Sequence, residues 1–115
     1  MGSDRNLKQG FTPVDSKEVL RCLAGVRVQG WSYKDDPSVR HIGPMAQDFF
    51  AAFHVGDDEH IHGVDAGGIA FAAVQALYWI VQEKEQQIGE LRAELDDLRQ
   101  RVAWGESLAC NSSLV

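Results

Sequence analysis

The sequence predicts an α+β fold, in which a small mixed domain of short strands and helices precedes a long C-terminal helix that forms a parallel coiled coil. Apolar and polar residues alternate over parts of residues 26–42, as in paired strands. From residue 66 onward, apolar residues recur at helical spacing and then every seven residues, which is the coiled-coil repeat. With 115 residues, we expect one domain with an appendage: a globular part at 1–65, a long helix at 66–104 and a polar, disordered tail at 105–115.

The first part of the globular segment is predicted to contain a helix and a hairpin. Asp15 or Ser16 can cap the helix, and Gly25 ends it. In the hairpin that follows, the apolar alternation changes phase at Gly30, which predicts a β-bulge there. The turn between the two strands is predicted at residues 35–38, which are rich in turn-forming residues.

A second helix is predicted to begin at Pro44, because proline suits the first helical turn and the apolar residues after it share one face. Gly56 and the acidic residues after it end that helix. Residues 60–64 are predicted to form a short strand. Asp65 is predicted to cap the long helix, which then begins at about Ala66.

The long helix carries the clearest pattern in the chain. Glu94 and Arg99 lie at g and e positions, with the five-residue offset that pairs opposite charges across parallel helices. The alternative is a single amphipathic helix packed back on its own domain, but residues 66–102 would span about 55 Å, too long for so small a domain. The apolar residues at a and d positions form the seam of the coiled coil, and their types leave the number of helices open between two and three. Apart from Lys84, its members are Leu77, Val81, Ile88, Leu91, Leu95, Leu98 and Val102.

Composition excludes some classes of protein. The net charge of −6 argues against a nucleic-acid partner. No run of about 18 apolar residues occurs, so we expect no membrane span, and no apolar stretch after Met1 resembles a signal peptide. The abrupt start predicts a fragment of a longer protein. Cys22 is predicted to be a buried thiol and Cys110 to lie in the tail, and two unpaired thiols suit a reducing folding compartment.

A serine and a lysine near the N-terminus form the main candidate for chemistry. Ser3 precedes Lys8 by five residues, and a lysine amine can replace histidine as the general base of a serine nucleophile. On a regular strand or helix this spacing does not bring the two side chains together. The chain must therefore bend, or a neighbouring chain must help to shape the site. The alternative is that both are ordinary surface residues.

Three motifs in order, followed by the heptad helix, resemble the peptidase S74 domain, the C-terminal intramolecular chaperone of phage tailspikes and tail fibres such as endosialidases. The motifs are Ser3-Asp4-Arg5-Asn6-Leu7-Lys8, Arg40-His41-Ile42-Gly43-Pro44-Met45-Ala46-Gln47-Asp48 and Gly63-Val64-Asp65-Ala66-Gly67-Gly68-Ile69. The resemblance covers roughly residues 3–100. The chain departs from the family's usual residues at Asn6, Pro44 and Ala66.

The resemblance implies a homotrimer, and therefore a parallel trimeric coiled coil, that assists folding of an upstream β-rich fibre domain of the same polypeptide. It also implies a single-turnover self-cleaving serine endopeptidase in which Ser3 is the nucleophile and Lys8 its base. The scissile bond would be Gly2–Ser3. No cofactor, metal, nucleic acid or membrane is implied. The expected location is the host cytoplasm during virion assembly, and afterwards the end of a fibre or the released state.

Two other functions remain open at this point. The chain could be a trimerisation cap that does not cleave and stays attached to a fibre or surface protein. It could also be a coiled-coil adaptor, which would require an exposed apolar surface outside the seam. A metal site at His60 and His62, beside the acidic residues 57–59, lacks a third ligand at a diagnostic spacing.

Overall fold

The computed structural model describes residues 2–113, and the side chains through residue 109. Contacts divide the chain into two compact units, Met1–Leu77 and Tyr78–Val115. The predicted α+β class is confirmed, with one antiparallel two-stranded sheet, helices and a long C-terminal helix. After a 3₁₀ turn at Arg5–Leu7, the elements are α1 (Ser16–Ala24), β1 (Gln29–Tyr33), β2 (Asp36–Gly43), α2 (Ala46–Phe53) and α3 (Gly63–Ser113).

Helix α1 begins and ends where the local sequence predicts. The Asp15 side chain accepts a hydrogen bond of 3.2 Å from the Glu18 N–H, so Asp15 is the cap and Ser16 is the first helical residue. At the other end, the Gly25 N–H donates to the Cys22 carbonyl over 3.1 Å. Both boundaries follow from short-range hydrogen bonding, which sequence patterns represent well.

The predicted hairpin is present, but its irregularity lies elsewhere. Gly30 pairs regularly with Ile42, and the register shifts between Trp31 and Tyr33. The prediction of a bulge at Gly30 is therefore wrong. Val26 and Val28 precede β1, whereas Trp31 and Tyr33 lie within it and both contact His41.

The hairpin turn is also tighter than predicted. Tyr33 pairs with Asp36, so the turn consists of residues 34–35 and not 35–38. Pro37 belongs to β2, which is possible because a strand of a two-stranded sheet has one edge without a ladder partner. The Ser32 hydroxyl donates to the Pro37 carbonyl over 3.2 Å and ties the two strands together near the turn.

Helix α2 begins two residues after Pro44, at Ala46. Phe49 is its buried residue, and its ring lies 5.1 Å from that of Phe53. His54 caps the C-terminal end of the helix, with a left-handed backbone (φ 54°) and an N–H that donates to the Phe50 carbonyl over 2.8 Å. The last residue of α2, Phe53, therefore precedes the predicted breaker, Gly56, by three residues.

The predicted strand at residues 60–64 is not formed. The Asp57 side chain accepts hydrogen bonds of 2.8 Å from the N–H groups of both Glu59 and His60, which curls this segment into a turn. Helix α3 then begins at Gly63, and Asp65 lies within its first turn rather than capping it. Local side-chain bonding has here outcompeted strand propensity.

Helix α3 continues beyond the predicted end of the coiled coil. Residues 105–113 are helical, so the prediction of a disordered tail is wrong for them. A single glycine at 105 costs a helix only about 1 kcal/mol, which the flanking helix-compatible residues tolerate. Residues 114–115 and the Cys110 side chain lie outside the described part of the chain.

The chain buries few side chains by itself. Cys22, which the sequence predicted to be buried, is only partly so. Large apolar side chains are exposed along α3, and surfaces of this kind mark sites of protein contact. Among residues 2–109, the buried side chains are Phe49, Ala72, Ala73 and Ala76.

Candidate functional site

The N-terminal turn brings the predicted serine and lysine together. Asp4 accepts a hydrogen bond of 2.9 Å from the Asn6 N–H and so caps the 3₁₀ turn at Arg5–Leu7. The turn closes with a bond of 3.0 Å from the Leu7 N–H to the Asp4 carbonyl. As a result, Lys8 Nζ lies 2.6 Å from Ser3 Oγ and donates a hydrogen bond to it.

This geometry meets the first requirement for a Ser–Lys pair. A general base must lie within hydrogen-bonding distance of the proton that it removes, and 2.6 Å satisfies that condition. The Gly2–Ser3 peptide bond directly precedes the serine. The sequence required either a bend of the chain or help from a neighbouring chain, and the structure shows the bend. The bend depends on the side chain of Asp4, whose type is a preferred N-cap.

The pair lies in water in the isolated chain. Ser3, Lys8 and the other residues between 2 and 15 are all exposed. An exposed ammonium is well solvated, so this chain alone does not supply the burial that favours a neutral lysine amine.

The second motif forms the end of the hairpin and the start of α2. Arg40 donates from Nη1 to Ser32 Oγ over 3.1 Å. His41 stacks on Trp31, with ring centroids 4.7 Å apart. The Trp31 indole N–H is buried and has no hydrogen-bond partner within the described residues. These contacts make the motif a structural element of the hairpin.

Residues 3–56 match the family model of peptidase S74, described as chaperone of endosialidase. This match confirms the resemblance seen in the sequence for residues 3–56. No curated protein matches the chain. The family description supports a role as an intramolecular chaperone, and the family name suggests a self-cleaving peptidase.

The S74 match contains the first two motifs, including Ser3, Lys8 and the hairpin. The third motif, which begins at Gly63, and the heptads of α3 lie outside it. Assignments on α3 therefore depend on the residues of this chain rather than on the family match.

The three departures from the usual S74 residues have modest local consequences. Asn6 uses its backbone N–H in the cap, an interaction available to any residue except proline. Pro44 is half-buried just before α2, where its lack of an N–H breaks no helical hydrogen bond. Ala66 is half-buried in the first turns of α3. None of them lies between Ser3 Oγ and Lys8 Nζ.

The predicted seam residues lie on α3 and are exposed. Ile88 and Leu95, at a positions, are 47% and 46% exposed, and Leu91 at a d position is 63% exposed. An apolar stripe of this kind on a charged helix is what a coiled coil covers on association. The remaining seam members are also exposed: Leu77, Val81, Leu98 and Val102.

Apolar residues outside the seam form a surface that sequence reasoning missed. Tyr78 and Trp79 lie at e and f positions, are 57% and 61% exposed, and make an edge-to-face contact with centroids 5.2 Å apart. By length and composition, a stretch of α3 could also cross a membrane. Core helices of soluble proteins and signal sequences have the same length and composition. The surface is nevertheless the kind that the adaptor alternative requires.

The histidine-containing loop uses its carboxylate locally. Hydrogen bonds from the backbone N–H groups of Glu59 and His60 hold the pKa of the Asp57 carboxyl below its usual range. His60 Nδ1 lies 3.1 Å from the same carboxylate, whereas His62 Nε2 is 3.9 Å from its other oxygen. These contacts stabilise the loop that leads into α3.

Proposed function

We propose that this chain is a trimeric intramolecular chaperone that cuts itself off by Ser–Lys autoproteolysis before Ser3. The observation that carries the proposal is the hydrogen bond of 2.6 Å between Lys8 Nζ and Ser3 Oγ, beside the Gly2–Ser3 bond. The S74 match of residues 3–56 supports the chaperone role. The exposed heptad face of α3 supports association.

The chemistry proceeds within one polypeptide. Neutral Lys8 takes the proton of the Ser3 hydroxyl as Oγ attacks the carbonyl carbon of residue 2. The C–N bond then breaks, the Ser3 amine leaves with a proton from Lys8, and the acyl group of residue 2 becomes an ester on Oγ. Water hydrolyses this ester, which releases a new carboxylate and restores the serine.

The exposure of Lys8 couples this reaction to assembly. A solvated ammonium cannot accept a proton, so cleavage needs the amine to be withdrawn from water. Association of three copies, or folding of the upstream domain against this turn, would provide that burial. The chain therefore stays attached until its partners are in place.

The folding role follows from the same association. A β-rich fibre must bring three long chains into register, which is slow because the contacts are non-local. A C-terminal coiled coil raises the local concentration of the chains. The process takes place in the host cytoplasm during virion assembly, and the cut leaves the folded fibre behind.

The decisive experiment fuses this chain behind its native upstream segment and follows it by gel and intact mass, with Ser3→Ala alongside. We expect a cut just before Ser3 that is absent in the variant, and a trimer in both. Uncut chains in both samples, with the trimer retained, would exclude autoproteolysis and leave the chaperone role.

A non-cleaving trimerisation cap is the second candidate. The observation in its favour is the exposure of both Ser3 and Lys8, which leaves the amine in water. In that case the N-terminal turn would be a folded connection to the upstream domain. The same fusion experiment separates the two functions, because a cap remains at full length in every variant.

A further inference from the structure

The heptad seam of α3 contains one charged residue. Counting from Val81 at an a position, Lys84 occupies a d position between Leu77 and Leu91. In the single chain its ammonium donates a weak hydrogen bond of 3.4 Å to Gln87 Oε1. A lone polar residue in an apolar seam costs stability but fixes the alignment of the helices.

The charged residues at g and e positions, beside the seam, also favour one alignment of the helices. In a parallel, in-register assembly, residues at g face residues at e five positions later in the next copy. This places Glu94 opposite Arg99 and Arg101 opposite Glu106, two attractive pairs. The second pair exists because α3 is helical through Glu106, beyond the end that the sequence predicted.

Slippage by one heptad in either direction creates a like-charge pair. In one direction Glu94 faces Glu106, and in the other Arg101 faces Arg99 although Glu94 then faces Arg92. In register, the Lys84 side chains share one layer with like charges beside Glu85, whereas slippage moves each of them into an apolar Leu layer. There a buried ammonium has no partner, which is costly.

The neighbours of Lys84 at e positions also favour a single alignment. An in-register d residue packs beside the e residue that follows it in the adjacent copy, which here is Glu85. After slippage by one heptad that neighbour becomes Arg92 in one direction and Tyr78 in the other. Only the in-register arrangement gives Lys84 an opposite charge.

We propose that Lys84, supported by the flanking charges, fixes the register in which copies of this chain associate. The occupant of the seam is a second and third copy of α3, in parallel. The inference rests on the proposed trimer and adds a specific role for the seam, because copies held in register present their upstream chains without an axial offset.

The test measures register directly by electron paramagnetic resonance distance measurement. A single nitroxide is attached at Ala93→Cys, an outer f position, in a chain carrying Cys22→Ala and Cys110→Ala. One heptad of slippage displaces labels by about 10 Å along the axis. The wild-type seam is expected to give one distance population. Lys84→Leu is expected to give a higher melting temperature together with additional populations.

The matched control is Gln100→Leu, which adds the same side chain at an f position away from the seam, and it is expected to keep the single distance. A Lys84→Leu assembly with one unchanged distance overturns the inference but leaves the trimer in place. A wild-type chain that stays monomeric overturns the proposed assembly and the inference with it.

Discussion

Lys8 Nζ lies 2.6 Å from Ser3 Oγ across a 3₁₀ turn that the Asp4 side chain caps. The two residues are five apart in the sequence, so their contact exists only while this turn is formed. Because both side chains are exposed, the turn itself is what holds them together. The contact between Ser3 and Lys8 therefore depends on the same turn that gives this segment its local fold.

Replacing Lys8 by arginine tests the role of the amine separately from its charge. Arginine keeps a cation near Ser3 but does not deprotonate in proteins. We expect Lys8→Arg to slow cleavage of the upstream fusion by roughly 10²–10⁴-fold, the usual contribution of a general base. Quantified gel time courses measure this rate.

The control for this change is Lys34→Arg, at the exposed hairpin turn, which should cleave normally. Cleavage of Lys8→Arg at the wild-type rate would remove the lysine from the mechanism. Equal loss in both variants would point to a general effect on folding.

Removing the Asp4 side chain tests how much the capped turn contributes to holding Ser3 and Lys8 together. Loss of an N-cap costs about 1 kcal/mol, so Asp4→Ala should lower the population of the bent turn and reduce the cleavage rate about fivefold. Asp4→Asn retains a capping oxygen and should restore most of the rate. If Asp4→Asn cleaves as slowly as Asp4→Ala, the negative charge of Asp4 matters and its capping hydrogen bond does not.

Local chemistry explains which parts of this fold could be predicted. Asp15 and Gly25 bound α1 through hydrogen bonds within a few residues, so the sequence was sufficient there. The strand predicted at 60–64 failed because Asp57 captured the backbone N–H groups after it. The pattern of apolar residues does not reveal this competition between side-chain hydrogen bonds and strand formation.

The candidate site was predictable in its members but not in its geometry. Ser3 and Lys8 could be identified from chemistry and family resemblance, whereas the turn depends on Asp4, whose role a short motif does not reveal. The end of α3 was missed because the seam pattern stops at Val102 while the backbone continues as helix to Ser113. A coiled-coil pattern reports on packing and not on helix length.

Charges placed in the seam should prevent association. In Ile88→Asp combined with Leu95→Asp, two a layers would bury carboxylates without partners, which is strongly unfavourable. We expect monomers by sedimentation equilibrium at concentrations where the wild-type chain is trimeric. The matched control is Gln86→Asp combined with Ala93→Asp, which adds the same charges at the same spacing on the outer face. A trimer that survives the seam change would place the interface elsewhere.

Two glycines offer opposite predictions for stability. Gly56 has a positive φ of 71°, and a Cβ there would lie 3.2 Å from His62 Cδ2 and 3.3 Å from Asp65 Oδ2. Gly56→Ala should therefore destabilise the entry to α3, at about 1–2 kcal/mol for the backbone alone.

Gly89 lies in a regular helix, where a Cβ would meet nothing within 4 Å. Gly89→Ala should instead stabilise the chain, by about 1 kcal/mol.

Denaturant unfolding at a fixed chain concentration measures both effects, because the midpoint of an oligomer depends on concentration. The wild-type chain and the two variants are compared under identical conditions. The expected order of midpoints is Gly89→Ala, wild type and then Gly56→Ala. A Gly56→Ala midpoint at or above that of the wild type would show that the loop between α2 and α3 does not need its left-handed residue.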